Sequence, residues 1–136
     1  MSIHTQTFQV QTHDRDQMIE LTDQVREAVQ RSEIHDGSVI VYVPHTTAGI
    51  TINENADPDV VHDMLHQLDQ MVPWSQPFYR HAEGNSASHV KASMMGSSVT
   101  VLIHKGQLVL GTWQGVWFCE FDGPRTRNVH VAVSGG

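Results

Sequence analysis

The chain has little cysteine and no long apolar run, and both absences narrow its class. Its 136 residues include one cysteine, Cys119, so an internal disulfide and a cysteine-built zinc site are excluded. So little cysteine is typical of a reducing compartment, and we expect a cytoplasmic protein. No stretch reaches the ~18 apolar residues that span a bilayer, and no basic and apolar leader opens the chain. We therefore expect neither export nor membrane insertion.

Charge is also scarce and unbalanced. Asp, Glu, Lys and Arg make up 17% of the residues, against about 25% in an ordinary globular domain. The 8 basic and 15 acidic residues give a formal net charge of −7. Proteins that bind nucleic acid or an anionic membrane surface carry an excess of basic residues that neutralises phosphates. The sequence therefore predicts neither nucleic acid nor a membrane as a partner.

The apolar residues that are present favour strands. Valine and isoleucine are frequent and leucine is rare, and β-branched side chains suit a pleated sheet. The continuous run Val39–Val43 predicts a strand buried on both faces. Short turns between the last strands predict antiparallel neighbours. The predicted strands are 3–12, 39–43, 50–52, 98–104, 107–113, 116–121 and 128–133.

Three segments carry helix signals. Apolar residues recur at helical spacing after Asp14, which predicts a helix over 15–32. Asp57-Pro58 combines a side-chain cap with a proline in the first turn, so a second helix begins there. A third helix, capped by Asn85 or Ser86, is expected to end at Gly96. The chain is long enough for one compact domain, residues 1–136.

The sequence contains ten histidines, and three of them lie at predicted element boundaries: His45, His81 and His89. Three imidazoles with an open fourth position form a catalytic site for a zinc-type metal. Glu83 and Asn85 lie between the last two and could orient an imidazole ring or a bound water. The spacing alone matches no short-range motif, so scattered, solvated surface histidines stay an open alternative.

Other candidates favour plainer interpretations. His62 and His66 lie one helical turn apart, but Asp63 stands where a zincin needs glutamate and no third ligand follows. Cys119 lies in an apolar strand, which favours an inert core thiol. Arg125 and Arg127 follow a Gly-Pro turn, where a guanidinium suits a phosphate group or is simply solvated.

Four stretches of the chain stand out by their wording: HTTAGITINENADP from His45, HAEGNSASHVKAS from His81, LGTWQG from Leu110 and EFDGPR from Glu120. In this order they resemble the YjbQ family of small bacterial and archaeal proteins. The resemblance covers essentially the whole chain. It implies an α+β fold with a mostly antiparallel, β-sandwich-like core and two to three helices, and a homotrimer with a site between subunits where histidines hold a metal. It also implies the activity of a secondary thiamine-phosphate synthase, which joins a pyrimidine pyrophosphate to a thiazole phosphate.

The family's functional positions carry over to matching residues of this chain. Its motif histidines, the expected metal ligands, fall on His45, His81 and His89. Its other polar motif positions, the expected catalytic residues, fall on Glu83, Asn85, Glu120 and Arg125. The cofactor is expected to be a divalent metal ion, which three imidazoles make zinc-like and a pyrophosphate substrate would make magnesium.

The leading functional prediction is a metal-assisted transferase that acts on a small phosphorylated heteroaromatic substrate. One alternative is a zinc-type hydrolase of a small phosphorylated molecule. A second alternative, from a different class, is a homotrimeric metal-binding or ligand-binding protein without turnover. All three use the same histidines, so the sequence does not choose among them.

Overall fold

The computed structural model describes all of residues 1–136. The chain forms eight strands and three helices. In chain order they are β1 (Ser2–Gln11), β2 (Gln17–Glu20), α1 (Thr22–Ser32), β3 (Gly37–Tyr42), β4 (Ala48–Glu54), α2 (Pro58–Met71), α3 (Ser86–Met95), β5 (Ser98–His104), β6 (Gln107–Leu108), β7 (Gln114–Glu120) and β8 (Thr126–Gly135).

The strands form two antiparallel sheets. The larger sheet has the order β1-β8-β3-β5-β6 and the smaller one the order β2-β7-β4. Side chains from both sheets and from α1 meet in one apolar core, which includes Val25, Val131 and Phe118. The prediction of an α+β fold with a mostly antiparallel core and up to three helices is confirmed. None of the three helices combines the length and the apolar composition that a membrane-spanning helix needs.

The two faces of the larger sheet differ sharply. Side chains alternate between faces along a strand, and Val39 and Val41 point into the core without exposure. Their neighbours Ile40 and Tyr42 are 44% and 46% exposed. The prediction that Val39–Val43 is buried on both faces is therefore wrong for the single chain, because no element of this chain covers the second face.

We call this second face the outer sheet face. One row across it is Thr5, Ala132, Ile40 and Thr100, which are cross-strand partners in register. The alternation of side chains along β1, β3, β5 and β8 places these residues on the outer sheet face: Ile3, Thr5, Thr7, Gln9, Gln11, Ser38, Ile40, Tyr42, Ser98, Thr100, Leu102, His104, Thr126, Asn128, His130, Ala132 and Ser134. None of them is Asp, Glu, Lys or Arg.

The first predicted helix begins later than expected. Met18 and Ile19 belong to β2, which pairs with β7, and α1 begins only at Thr22. Asp14 does not cap a helix, because Gln17 three residues later already begins β2. The Oε1 of Gln17 accepts hydrogen bonds from the backbone N–H groups of His13 at 2.8 Å and Asp14 at 3.4 Å. Met18 is buried from a strand, although its spacing from Leu21 also fits a helix.

The first of the predicted hairpins near the C-terminus is confirmed, since β5 ends at His104 and pairs with β6 from Gln107, but the two that follow are wrong. The segment 107–113 contributes only the two residues of β6, and Gln114-Gly115 opens β7 instead of forming a turn. Gly115 fits there because a Cβ would lie 2.6 Å from Glu20 Oε2 and 2.9 Å from Asn55 Cβ. β7 and β8 belong to different sheets, so they are not neighbours.

The predicted boundaries of the other two helices are confirmed. Asp57 accepts a hydrogen bond from the backbone N–H of Asp59 at 2.9 Å, and Pro58 occupies the first turn of α2. α3 begins at Ser86 and ends before Gly96, whose φ of 92° suits a residue without a Cβ. Asn85 precedes α3, but its side chain does not cap the helix.

Candidate functional site

His45 lies just beyond the end of β3, where Pro44 interrupts the strand. Its Nε2 accepts a hydrogen bond from the backbone N–H of Asn128 in β8, at 2.9 Å. Burial lowers the pKa of His45, and the nearby positive charge of Arg127 lowers it further, although Glu120 opposes the shift. The imidazole is therefore neutral at pH 7, and its position is fixed by the sheet.

His81 and His89 form a close pair. Their ring centroids are 5.4 Å apart and their planes are nearly perpendicular, at 87°. A tetrahedral ion with Zn–N bonds of about 2.1 Å would place two ligating imidazole centroids about 5 Å apart. The separation of the two centroids is thus close to that of two imidazoles on one ion, and the perpendicular planes are those of an edge-to-face ring pair. His81 Nε2 also lies 4.0 Å from Glu83 Oε1.

A cleft connects His45 to His89. It has a volume of about 460 Å³ and lies between the end of β3 and the helix α3. His81 does not line it, but faces a neighbouring depression that His89 also borders. The residues that line the cleft are His45, Thr46, Ala48, His89, Ala92, Ser93, Gly96 and Ser97.

The three predicted metal ligands do not form one cluster within the chain. No group of three or more His, Cys, Asp or Glu side chains is arranged to hold a metal ion. His89 is near both of the other histidines, but His45 has its Nε2 lone pair engaged by Asn128. Of the three, only His81 and His89 form a ring pair within the chain, and the expected three-histidine metal site stays a prediction.

Asn85 and Arg125 meet through a residue that the sequence did not single out, Asp122. Asn85 Nδ2 donates to Asp122 Oδ2 at 2.9 Å, and Arg125 Nη2 donates to the same oxygen at 3.1 Å. Asn85 also donates to Glu83 Oε2 at 3.4 Å. The only signal for Asp122 in the sequence is its place inside the EFDGPR stretch.

The amide of Asn85 is only half satisfied. Its Oδ1 is the one buried side-chain oxygen or nitrogen in the chain without a hydrogen-bond partner. A buried acceptor left unpaired costs free energy, so such an atom calls for an explanation. Its position beside Glu83, between His81 and α3, makes it a candidate contact for a bound molecule.

Glu120, predicted to be catalytic, is completely buried against Arg127. Burial alone would raise the pKa of Glu120, but hydrogen bonds from Arg127, the backbone N–H of Asp122 and Thr12 outweigh it and lower the pKa. Thr12 Oγ1 donates at 2.9 Å, and the backbone N–H groups of Phe121 and Asp122 donate at 3.0 Å each. Both carboxylate oxygens are occupied, which fits a supporting role.

Arg127 holds the segment that follows His45. Its Nη2 donates to Thr47 Oγ1 at 2.8 Å and to the Thr47 carbonyl at 3.3 Å. The interpretation of Arg127 as a solvated charge is wrong, since the residue is 3% exposed. Its Nε and Nη2 are engaged by Glu120 and Thr47, and only Nη1 has no partner within the chain. Arg125 keeps an exposed guanidinium, so it is the arginine available to a phosphate group.

Lys91 in α3 is also buried and charged, like Glu120 and Arg127. The sequence did not single it out. Its side chain is 1% exposed and its Nζ lies 2.7 Å from Asp16 Oδ2 and 3.1 Å from Asp69 Oδ1. These pairs join α3 to α2 and to the segment before β2. Lys91 thereby fixes the helix that carries His89.

Two of the weaker candidates are placed away from this site. Burial raises the pKa of the Cys119 thiol to about 12, so it is no nucleophile at neutral pH. His62 and His66 stack side by side on the exposed surface of α2, with ring centroids 6.2 Å apart. Neither group lines the cleft.

The fold and the histidine cleft define a small α+β protein of two antiparallel sheets with a polar, ligand-sized site at a sheet end. The chain belongs to the YjbQ family, whose model, described as "UPF0047 protein YjbQ-like", matches residues 6–136. It is 52% identical over 129 residues to the UPF0047 protein YugU of Bacillus subtilis, covering 95% of this chain and 98% of YugU.

Solved structures show the same fold. A YjbQ/UPF0047 family protein from Clostridium acetobutylicum superposes with a TM-score of 0.92 at 52% identity, covering 94% of this chain and 98% of that one. A YbjQ-like protein of unknown function from Sulfolobus solfataricus superposes with a TM-score of 0.95 at 29% identity, covering 99% of both chains.

Proposed function

We propose that this protein is a metal-assisted transferase of the thiamine-phosphate synthase type, which acts on small phosphorylated heteroaromatic substrates. The observation that carries the proposal is the cleft of about 460 Å³, in which two motif imidazoles meet the hydroxyl groups of Thr46, Ser93 and Ser97. That volume lies in the usual range for small-molecule sites. The YjbQ resemblance supplies the substrate class.

The chemistry requires charge neutralisation more than proton transfer. The C–O bond to the pyrophosphate breaks with both electrons leaving on oxygen, and the thiazole nitrogen forms a C–N bond to the pyrimidinyl carbon. Arg125 is suited to neutralise the leaving group, because its guanidinium is exposed and is oriented by Asp122. Glu83 is exposed beside His81 and is the candidate for any proton transfer.

The metal that we propose is a divalent, zinc-type ion at His81 and His89. Imidazole pairs suit zinc, nickel or iron better than magnesium, which prefers oxygen ligands. A cation bound there would supply charge neutralisation to the departing pyrophosphate. The remaining ligands would come from solvent, from the substrate or from another subunit.

We further propose that the protein is a homotrimer in the cytoplasm. The outer sheet face supports assembly, because it bears no charged residue of the four common types and exposes Ile40, Tyr42 and Leu102. Depletion of charge is typical of the centre of protein interfaces. Asn128 belongs to this face and binds His45, so a neighbouring subunit there would lie beside the cleft.

The test is a pyrophosphate-release assay with both thiamine precursors and added divalent metal. We expect release by the wild-type protein and a loss of at least about 10-fold in His89→Ala, since even the groups that support metal ligands typically contribute about 10- to 100-fold. His62→Ala is the matched control, since it removes an exposed histidine that does not line the cleft. No release above the His89→Ala background would refute the transferase proposal.

The same preparations separate the alternatives. Phosphate release from a single phosphorylated substrate, without the second precursor, would favour the hydrolase. Zinc-type metal binding that is lost in His89→Ala, with no turnover of any precursor, would favour a binding protein. Unchanged metal stoichiometry in His89→Ala would mean that the proposed histidines are not the metal site.

A further inference from the structure

We propose that His45 binds a phosphoryl oxygen of the ligand as a hydrogen-bond donor through Nδ1, and that it is not a metal ligand. This inference rests on the proposed location of the site and not on the transferase chemistry. It separates the histidines into a metal pair, His81 and His89, and one neutral donor, His45.

The first step is the way in which the sheet holds the ring. The pairing between β3 and β8 ends at Tyr42 and His130, and Pro44 stands two residues further along. Two residues along β8, the backbone N–H of Asn128 donates instead to Nε2 of His45, at 2.9 Å. The imidazole thus continues the hydrogen-bond ladder where the strand stops.

The second step assigns the proton. A backbone N–H can only donate, so Nε2 must present its lone pair, and the proton of a neutral imidazole then lies on Nδ1. The protonated form would place a second N–H against Asn128, so the same contact disfavours it. A neutral imidazole has one ring lone pair, and here it is used. Metal binding by His45 would therefore require breaking the contact with Asn128.

The third step locates the free donor. Nδ1 has no hydrogen-bond partner within the chain, and the only buried side-chain polar atom without a partner is Asn85 Oδ1. Nδ1 is therefore accessible from solvent, and His45 borders the cleft together with Thr46, Ser93 and Ser97. A cleft lined by this imidazole and by three hydroxyl-bearing residues offers neutral donors to an oxygen-rich group.

The surroundings favour a phosphoryl group as the acceptor. The cleft lining contains no carboxylate that would repel it. Arg125 and Arg127 lie near enough for their charges to act on the His45 ring, so the potential there is attractive to an anion, although Glu120 offsets part of it. Neutral donors can bind a phosphoryl oxygen without competing for the metal at His81 and His89.

The direct test is ¹⁵N NMR of the histidine side chains in the wild-type protein at pH 7, with the His45 signals assigned by their loss in His45→Asn. We expect the Nδ1–H tautomer at His45. Titration with Zn²⁺ should change the signals of His81 and His89 and leave the His45 tautomer intact. An Nε2–H tautomer, or a zinc-bound nitrogen at His45, would overturn the proposal.

Binding of inorganic phosphate and of pyrophosphate provides the second readout. We expect His45→Ala to weaken binding of at least one of them about 10-fold, the loss of roughly one hydrogen bond to a charged group. His45→Asn should recover most of the affinity, because its amide places an N–H close to the position of Nδ1. Zinc stoichiometry should be unchanged in both variants and reduced in His89→Ala.

The outcomes keep the two proposals separate. A negative pyrophosphate-release assay with the expected tautomer and phosphate binding would refute the transferase and leave the role of His45 standing. Zinc stoichiometry that falls in His45→Asn as it does in His89→Ala would refute the role of His45 while leaving the transferase intact. Equal phosphate affinity in wild type, His45→Ala and His45→Asn would also refute it.

Discussion

The two faces of the larger sheet are made from alternate residues of the same strands, yet they have different chemistry. On β8, Val129, Val131 and Val133 are fully buried, while Asn128 and His130, which alternate with them along the strand, are exposed. A sheet face in water commonly carries lysine and glutamate, which discourage association with other strands and sheets. This face carries neither, which supports the proposed assembly.

The largest effect should come from a charge placed on the inner face. Val131→Asp would bury an unpaired carboxylate in the core, and we expect it to lower the free energy of unfolding by on the order of 4 kcal/mol or more. Ala132→Asp, one residue further along β8 on the outer sheet face, should leave the chain folded. Urea unfolding followed by circular dichroism measures both. Equal losses would erase the distinction between the two faces.

A smaller effect tests the one charge pair on the inner side of β8. Glu120→Gln removes the partner of buried Arg127 and should cost about 3 kcal/mol at pH 7. The folded pKa of Glu120 is lowered, so its contribution is present above the ordinary pKa of about 4.3 and is lost as the pH falls through the folded value.

Urea unfolding at pH 7 and at pH 3 checks this prediction. The difference between wild type and Glu120→Gln should be largest at pH 7 and should narrow at pH 3. Glu83→Gln, an exposed carboxylate near the same site, should change stability by less than about 0.5 kcal/mol. A Glu120→Gln effect that is independent of pH would contradict a lowered pKa.

A lysine on the outer sheet face should change the stability of the folded chain least, but should change its oligomeric state. Ile40→Lys places a charge at the centre of the outer sheet face, where we expect it to leave the circular dichroism spectrum unchanged and to convert trimer into monomer. Gln24→Lys adds the same charge to the exposed side of α1 and should leave the trimer intact. Light scattering decides, and a monomeric wild type would overturn the proposed assembly.

Elements governed by local chemistry were predictable from the sequence. α2 begins at Pro58 because the Asp57 side chain accepts from Asp59 two residues away, and α3 ends at Gly96 because a glycine tolerates positive φ. β2 was missed because Met18 and Ile19 become a strand only by pairing with β7, about a hundred residues later. No local pattern distinguishes that pairing from the helical spacing of the same residues.

The candidate site shows the same limit. Its histidines could be singled out by their positions in the chain, and the resemblance pointed to Asn85 and Arg125. Asn128 binds Nε2 of His45 and so determines that Nδ1 is the free ring nitrogen. Asp122 brings Asn85 and Arg125 together, because both donate to the same carboxylate oxygen. Such partners are set by sheet register and loop closure, which the sequence does not encode in any short segment.

The burial of Cys119 has a practical consequence for experiments on the outer sheet face. Because the only native thiol is enclosed in the core and stays protonated, a cysteine introduced at an exposed position would be the only one to react with a maleimide dye. The native sequence thus needs no cysteine removal before labelling. Subunits with a cysteine at position 98 or 100 could be labelled separately with a donor and an acceptor dye and then mixed. Energy transfer between the two dyes would report contact between subunits.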